Sequence, residues 1–247
     1  MKTFEMSNNE GVQKVMNKVV LFIVEGALDR EFFGYYFSEL IENKNLEIYV
    51  TNGDILTKFT RNPERLIEKH FNSALKKSKF LKGDIERIVH ICDIDGSYFD
   101  EHQIKISPER DYSLKKNYEY NPFLKCINFS SEFDKEQIMK SWNNKRNNQE
   151  KLCHTKTIEG IRYDLYYVSL YLEHLLLGQC DHKTSSQKKD IIYDKLDKEI
   201  NFFIDLFELK KDSDDFDESW DKIRESSISF IPSSNLNILI NEYIKNK

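Results

Sequence analysis

The stretch Val19-Val20-Leu21-Phe22-Ile23-Val24-Glu25-Gly26 decides the fold. Six apolar residues in a row, without alternation, read as a strand covered on both faces, as in a parallel sheet flanked by helices. The run is far too short to cross a bilayer. A helix is expected almost at once, because Leu28, Phe32, Tyr36 and Leu40 recur every four residues. Asp29 falls where the positive end of that helix favours an acid. Strand, tight turn and helix form the first half of a βαβ unit.

Working outward, Leu46 to Thr51 reads as a second strand that ends at Asn52-Gly53-Asp54. Asn62-Pro63 then supplies a cap and a first-turn proline for a helix burying Leu66, Ile67, Phe71, Ala74 and Leu75. The third strand is expected from Arg87 to Cys92, running directly into Asp93-Ile94-Asp95-Gly96. Ser97 to Asn121 shows no period and reads as an insertion, after which Phe123 to Phe129 resembles a fourth strand. The alternation of strands and helices defines an α/β fold class with a parallel sheet. Residues 17–142 are expected to form this domain, with the insertion at 97–121.

Asn143 to Lys151 is polar and rich in Asn, Lys and Arg, and reads as a flexible junction. The remainder, residues 152–247, reads as a helical C-terminal extension. Leu165, Val168, Leu172, Leu175 and Leu176 form one stripe, and Ile191, Leu196, Ile200, Phe203 and Phe207 another. Asp212 to Glu218 reads as an acidic loop, and Asn235 to Ile244 as a terminal helix.

Charged residues make up 32% of the 247 and hydrophobic ones 39%, with only 8 Gly and 4 Pro, the balance of a folded, helix-rich chain. Met1 to Lys18 is too polar for a signal peptide, so a cytoplasmic protein without membrane contact is expected. Cys92, Cys126, Cys153 and Cys180 lie far apart, neither paired as in a zinc site nor dense as in a disulfide scaffold, and are expected to be reduced. The net charge of −5 argues against a protein that coats nucleic acid indiscriminately, but leaves room for a local basic channel. Acidity is concentrated at 190–225, with 13 acidic and 6 basic residues, so the N-terminal portion is close to neutral.

In open parallel sheets, ligands bind beyond the carboxyl ends of the strands. Glu25, Asp93 and Asp95 fall there. Residues 93 and 95 are two apart at a strand terminus, so both carboxylates can lean to one side of the turn, and Gly96 leaves room for close approach. Three converging carboxylates repel one another, and a hard divalent cation with oxygen ligands is their natural counter-charge. At each position singly, a capping or solvated acid is the plain alternative.

Val24-Glu25-Gly26, the downstream Asp29 and Asp93-Ile94-Asp95, in this order and strand context, resemble the TOPRIM domain family, over roughly residues 17–135. The family includes topoisomerases, bacterial primases, overcoming-lysogenization-defect nucleases and RloB-like proteins. The resemblance implies a TOPRIM-like sheet and a site that makes or breaks phosphodiester bonds, with Glu25 as general acid or base and Asp93 with Asp95 as ligands of Mg²⁺ or Mn²⁺. It further implies an RNA or DNA substrate, a companion ATPase in some members, and a place in bacterial antiphage defence. Ile91 to Ser97 also resembles the first motif of haloacid-dehalogenase-type phosphatases, where Asp93 would be the nucleophile and Asp95 an acid. A non-catalytic module that keeps the fold and binds a nucleotide or a partner is the third reading.

Several further residues bear on the site. Glu173, expected on a helix from Asp164 to Leu177, either reaches the strand ends or is a surface acid, and His174 is expected to face solvent. Lys76-Lys77, Lys115-Lys116 and Lys145-Arg146, with Tyr112, Tyr118 and Tyr120, could track a backbone and stack bases. Residues 105–160 hold 11 basic and 8 acidic residues, too small an excess to assert this. Cys153-His154 and Cys180-Asp181-His182 lack a zinc spacing.

Overall fold

A computed structural model describes residues 18–42, 46–108, 117–225 and 230–245. In chain order the elements are β1 (Lys18–Val24), α1 (Ala27–Ile41), β2 (Leu46–Asn52), α2 (Glu64–Lys77), β3 (Ile85–Asp93), β4 (Ile104–Ile106), β5 (Tyr118–Asn121), β6 (Cys126–Phe129) and α3 (Glu132–Leu152). There follow β7 (Thr157–Ile158), β8 (Ile161–Val168), α4 (Leu172–Leu177), α5 (Ser185–Leu196), α6 (Ile200–Leu209), α7 (Phe216–Ile223) and α8 (Leu236–Lys245). None of these helices is long and apolar enough to cross a membrane.

The chain is mixed α/β, with a central sheet in the order β2-β1-β3-β8-β7. Four strands run parallel and only the two-residue β7 is antiparallel, at the edge. The unbroken apolar run of β1 has the cause expected of it. Val19, Leu21 and Ile23 join a core with Ile67 and Phe71 of α2, Leu152 of α3 and Trp220 of α7. Val20, Phe22 and Val24 join another with Phe33 and Phe37 of α1, Phe203 and Phe207 of α6 and Leu239 of α8. A strand with helices on both faces has no solvent side, so alternation is lost. Asn62 caps α2 as expected, its Oδ1 accepting from Arg65 N at 3.1 Å.

The C-terminal part is not all helical. Ile161–Val168 is a strand, β8, paired in parallel with β3 from Arg87↔Arg162 to Asp93↔Val168. Leu165 and Val168 share no helical face here: Leu165 lies in the core with α2 and Val168 in the core with α1. The stripe ending in Phe207 is carried by two helices, α5 and α6, and the acidic segment begins a helix at Phe216, capped by Asp215 accepting from Glu218 N.

The expected fourth strand is shorter, β6, and belongs to a separate three-stranded sheet in the order β4-β6-β5. That sheet closes a third core containing Phe99, Tyr120, Phe129, Trp142, Leu170 and Tyr171. The expected junction at Asn143 to Lys151 is instead the second half of α3, a 21-residue helix capped by Ser131 accepting from Asp134 N. Its polarity does not mean solvation: Lys145, Asn148 and Gln149 are all buried. All four cysteines are free and buried.

Candidate active site at the carboxyl ends of the central strands

β1 and β3 are hydrogen-bonded neighbours, so their carboxyl ends deliver Glu25 and the Asp93/Asp95 pair to the same place. The turn after β1 is closed by Asp29, whose Oδ2 accepts from Gly26 N at 2.6 Å. A Cβ at Gly26 would stand 2.8 Å from that oxygen, so glycine is what permits the closure. Glu25 then reaches across, its Oε1 accepting from Asp93 N at 3.1 Å.

Asp95 follows in the left-handed region, with φ 50°, and its N–H donates to Leu170 O at 2.8 Å. Leu170, just past the end of β8, is also left-handed, with φ 48°, and fully buried. A buried leucine in this conformation costs of order 1–3 kcal/mol, retained only where the surroundings dictate it. The two strained residues brace the adjacent strand ends and fix where Asp95 points. Gly96, expected to let a backbone or a substrate approach closely, is approached by a side chain. A Cβ there would lie 2.3 Å from the Trp142 ring, so the glycine admits α3 instead.

That approach brings to the site a lysine that the sequence offered only as half of a basic pair able to track a backbone. Lys145, one turn beyond Trp142, is fully buried. Its Nζ lies 2.7 and 2.9 Å from the two oxygens of Glu25 and 2.5 Å from Asp95 Oδ2. Gln149, a further turn on, donates to Asp93 O at 3.1 Å. Asn148 ties α3 to the 54–63 loop by donating to Leu56 O and Lys58 O at 2.6 and 2.9 Å.

The electrostatics follow from burial and crowding. Burial pushes the Glu25 carboxyl up to about 8, Lys145 pulls it back, and Asp95 and Asp54 add to the rise. Burial, then Glu25, Asp29 and Asp95, hold Asp93 well above the usual carboxylate range. Burial pulls the Lys145 ammonium down, but Asp95, Glu25 and Asp93 outweigh it and leave it well above the ordinary lysine value. Asp29 is raised by burial, with Glu173 adding to it.

Glu173 is therefore no surface acid. It is buried at the edge of the site near Asp29 and paired with Lys188 at 2.9 Å. His174 does not face solvent; it is fully buried, with Nδ1 3.2 Å from Ser169 Oγ, because all of Leu172 to Leu175 packs inward. Tyr118 and Tyr120 come within electrostatic reach of Asp95, which adds to the upward push of burial on both phenols. Tyr112, Lys115 and Lys116 lie outside the described residues. Lys145 is not free to track a backbone, whereas Arg146 is exposed and lies over the Tyr98 ring at 5.3 Å.

The donor chemistry fits a hard divalent cation: carboxylate oxygens, with the Asp93 carboxylate crowded by Glu25, Asp29 and Asp95 and countered by Lys145. Among the described residues, no group of three or more Asp, Glu, His or Cys side chains is arranged to hold a metal ion. Lys145 spans Glu25 and Asp95 instead.

No protein family, curated protein or solved structure matches this chain.

Proposed function

We propose that the protein is a TOPRIM-type, metal-dependent nuclease that hydrolyses phosphodiester bonds in RNA or DNA. One observation carries the reading: Glu25 and Asp93 close adjacent parallel strands and touch, with Asp95 joined to Glu25 through one buried lysine. Asp93 and Asp95, with Glu25 beside them, would hold Mg²⁺ or Mn²⁺. When bound, the metal supplies charge stabilisation to the phosphate and a more acidic water.

The chain's own contribution is proton handling and position. With a value near 8, Glu25 is close to the balance point that suits a group exchanging protons at neutral pH. It would take the proton of the attacking water or return one to the leaving oxygen. Lys145 and the Asp93 N–H hold the Glu25 carboxylate in place for either role. Gln149 and Trp142 hold the turn that carries Asp93 and Asp95. A role in antiphage defence, beside a companion ATPase, is the biological setting in keeping with this chemistry.

Single-turnover cleavage of labelled tRNA, mRNA and plasmid DNA tests the reading. Glu25→Gln is expected to slow cleavage by about 10² to 10⁴-fold, the usual contribution of a general acid or base, with nucleic-acid affinity unchanged or higher. Excess chelator should abolish cleavage by the wild type. Turnover of p-nitrophenyl phosphate that survives Glu25→Gln would replace this reading by the phosphatase one. Failure of the wild type to cut any substrate with metal present would favour the non-catalytic module.

A further inference from the structure

We propose that Lys145 is a built-in counter-cation that a divalent metal must displace, so that metal entry and release of Lys145 from Glu25 and Asp95 are one event. The inference rests on the metal-dependent reading above and deepens it. Its ground is the contact set: one fully buried ammonium lies 2.7 Å from Glu25 and 2.5 Å from Asp95, and so takes up oxygens that a metal would need. A buried cation and a metal cannot share the same short contacts, because two like charges at this range in a low-dielectric site repel strongly.

The exchange has to occur at the side chain. The helix that carries Lys145 is fastened on both sides of it: Trp142 packs on Gly96, Asn148 donates to Leu56 O and Lys58 O, and Gln149 donates to Asp93 O. Displacement of the helix would break all of these. Rotation about the lysine's own bonds breaks only the two ion pairs, and lysine has four flexible carbons with which to do it. Nor does the lysine settle the charge of the site. Four carboxyl groups, Glu25, Asp29, Asp93 and Asp95, face this one ammonium, so a divalent cation that enters as their protons leave still finds anionic oxygens. Lys145 thus keeps the acidic strand ends packed without metal and sets a threshold for metal binding.

Titration calorimetry with Mn²⁺ on the full chain tests this, comparing wild type, Lys145→Met and Lys188→Met. Lys188 is a control for charge alone, since it pairs with Glu173 and acts on Asp29 without bridging Glu25 and Asp95. Lys145→Met should bind Mn²⁺ at least about tenfold tighter than wild type, whereas Lys188→Met should change affinity by no more than about threefold, because removal of direct competition outweighs a shift in the surrounding field. Unchanged or weaker binding by Lys145→Met, or an equal gain in Lys188→Met, overturns the exchange while leaving metal binding intact. No binding by the wild type overturns the metal reading and the exchange with it.

A measurement on the wild type covers the case in which Lys145→Met does not fold. Amine acetylation followed by mass spectrometry should find Lys145 protected without metal and several-fold more reactive with saturating Mn²⁺, with Lys188 unaffected. Equal or greater protection of Lys145 with metal overturns the proposal.

Discussion

The central sheet carries an ionic cluster near each of its two ends, and the two are built differently. Toward the amino ends of β3 and β8, Arg87 donates to Asp164 at 2.7 Å, to Glu242 at 2.5 Å and to the Tyr166 hydroxyl at 2.7 Å. Arg162 meets the same two carboxylates at 3.0 and 3.2 Å. Among the described residues, two guanidiniums thus meet two carboxylates. At the carboxyl ends, Glu25, Asp29, Asp93 and Asp95 act on Lys145, with the Glu173–Lys188 pair at the edge. The first cluster is balanced and the second is not. A balanced network can serve stability alone. An unbalanced one keeps ionisable groups away from their ordinary values, the condition found where a ligand or a reaction supplies what is missing.

The largest effect separates the two ends by breaking the balanced one. Arg87→Met removes a buried guanidinium from the half-buried Asp164 and Glu242, which keep Arg162, and should cost about 2–3 kcal/mol of stability by denaturant titration. Nucleic-acid cleavage by the folded fraction should be unchanged. Next in size is Gly96→Ala, which forces a methyl into the Trp142 ring and should cost about 1–3 kcal/mol as overpacking. It should also lower activity, because Trp142 and Lys145 lie on the same helix face. An alanine there that neither destabilises nor impairs cleavage would show that the Trp142 contact does not position Lys145.

How much of this was legible in the sequence differs between the same two ends. Strands β1 and β3 and the positions of Glu25, Asp93 and Asp95 could be read because buried parallel strands write apolar runs, whereas the half-buried edge strand β2 and helices α1 and α2 show through turn residues, caps and helical spacing. β8 was hidden because Leu165, Val168, Leu172 and Leu175 happen to keep a helical interval across a strand, a turn and a short helix. Its alternation of Ile161, Tyr163 and Leu165, and its aromatic content, were the better guide. With β8 went Arg162 and Asp164, half of the balanced cluster.

The place of Lys145 among the carboxylates was hidden for the opposite reason. Hydropathy finds helices that bury apolar faces, and this one buries polar side chains against loop carbonyls and carboxylates. The signal that could have found it is spacing: Trp142, Lys145, Gln149 and Leu152 recur at helical intervals and all are buried.

A smaller effect distinguishes the ends by pH. Glu25 rises from an ordinary 4.5 to about 8 on folding, so the folded chain holds a proton that the unfolded chain gives up in this interval. Asp93 and Asp29 are shifted in the same direction. Their contribution is fully present below about pH 4.5 and is lost as pH rises through about 8. Metal-free stability is therefore expected to fall between pH 5 and pH 8.5, and saturating Mg²⁺ or Mn²⁺ should flatten that fall. A stability that rises across the same window would mean that the carboxylates at this end are well satisfied when ionised.

The most direct measurement is the unfolding free energy of Glu25→Gln against wild type, without metal, at pH 8.5. Glutamine keeps the shape and the acceptor for Asp93 N but carries no charge to bury. If the acidic end is held for a ligand at a cost in stability, the variant will be as stable as the wild type or slightly more so, by up to about 1 kcal/mol, the scale of a typical single hydrogen bond. A loss approaching the roughly 2–3 kcal/mol expected for Arg87→Met would contradict the account, since it would make Glu25–Lys145 a structural ion pair like those of Arg87.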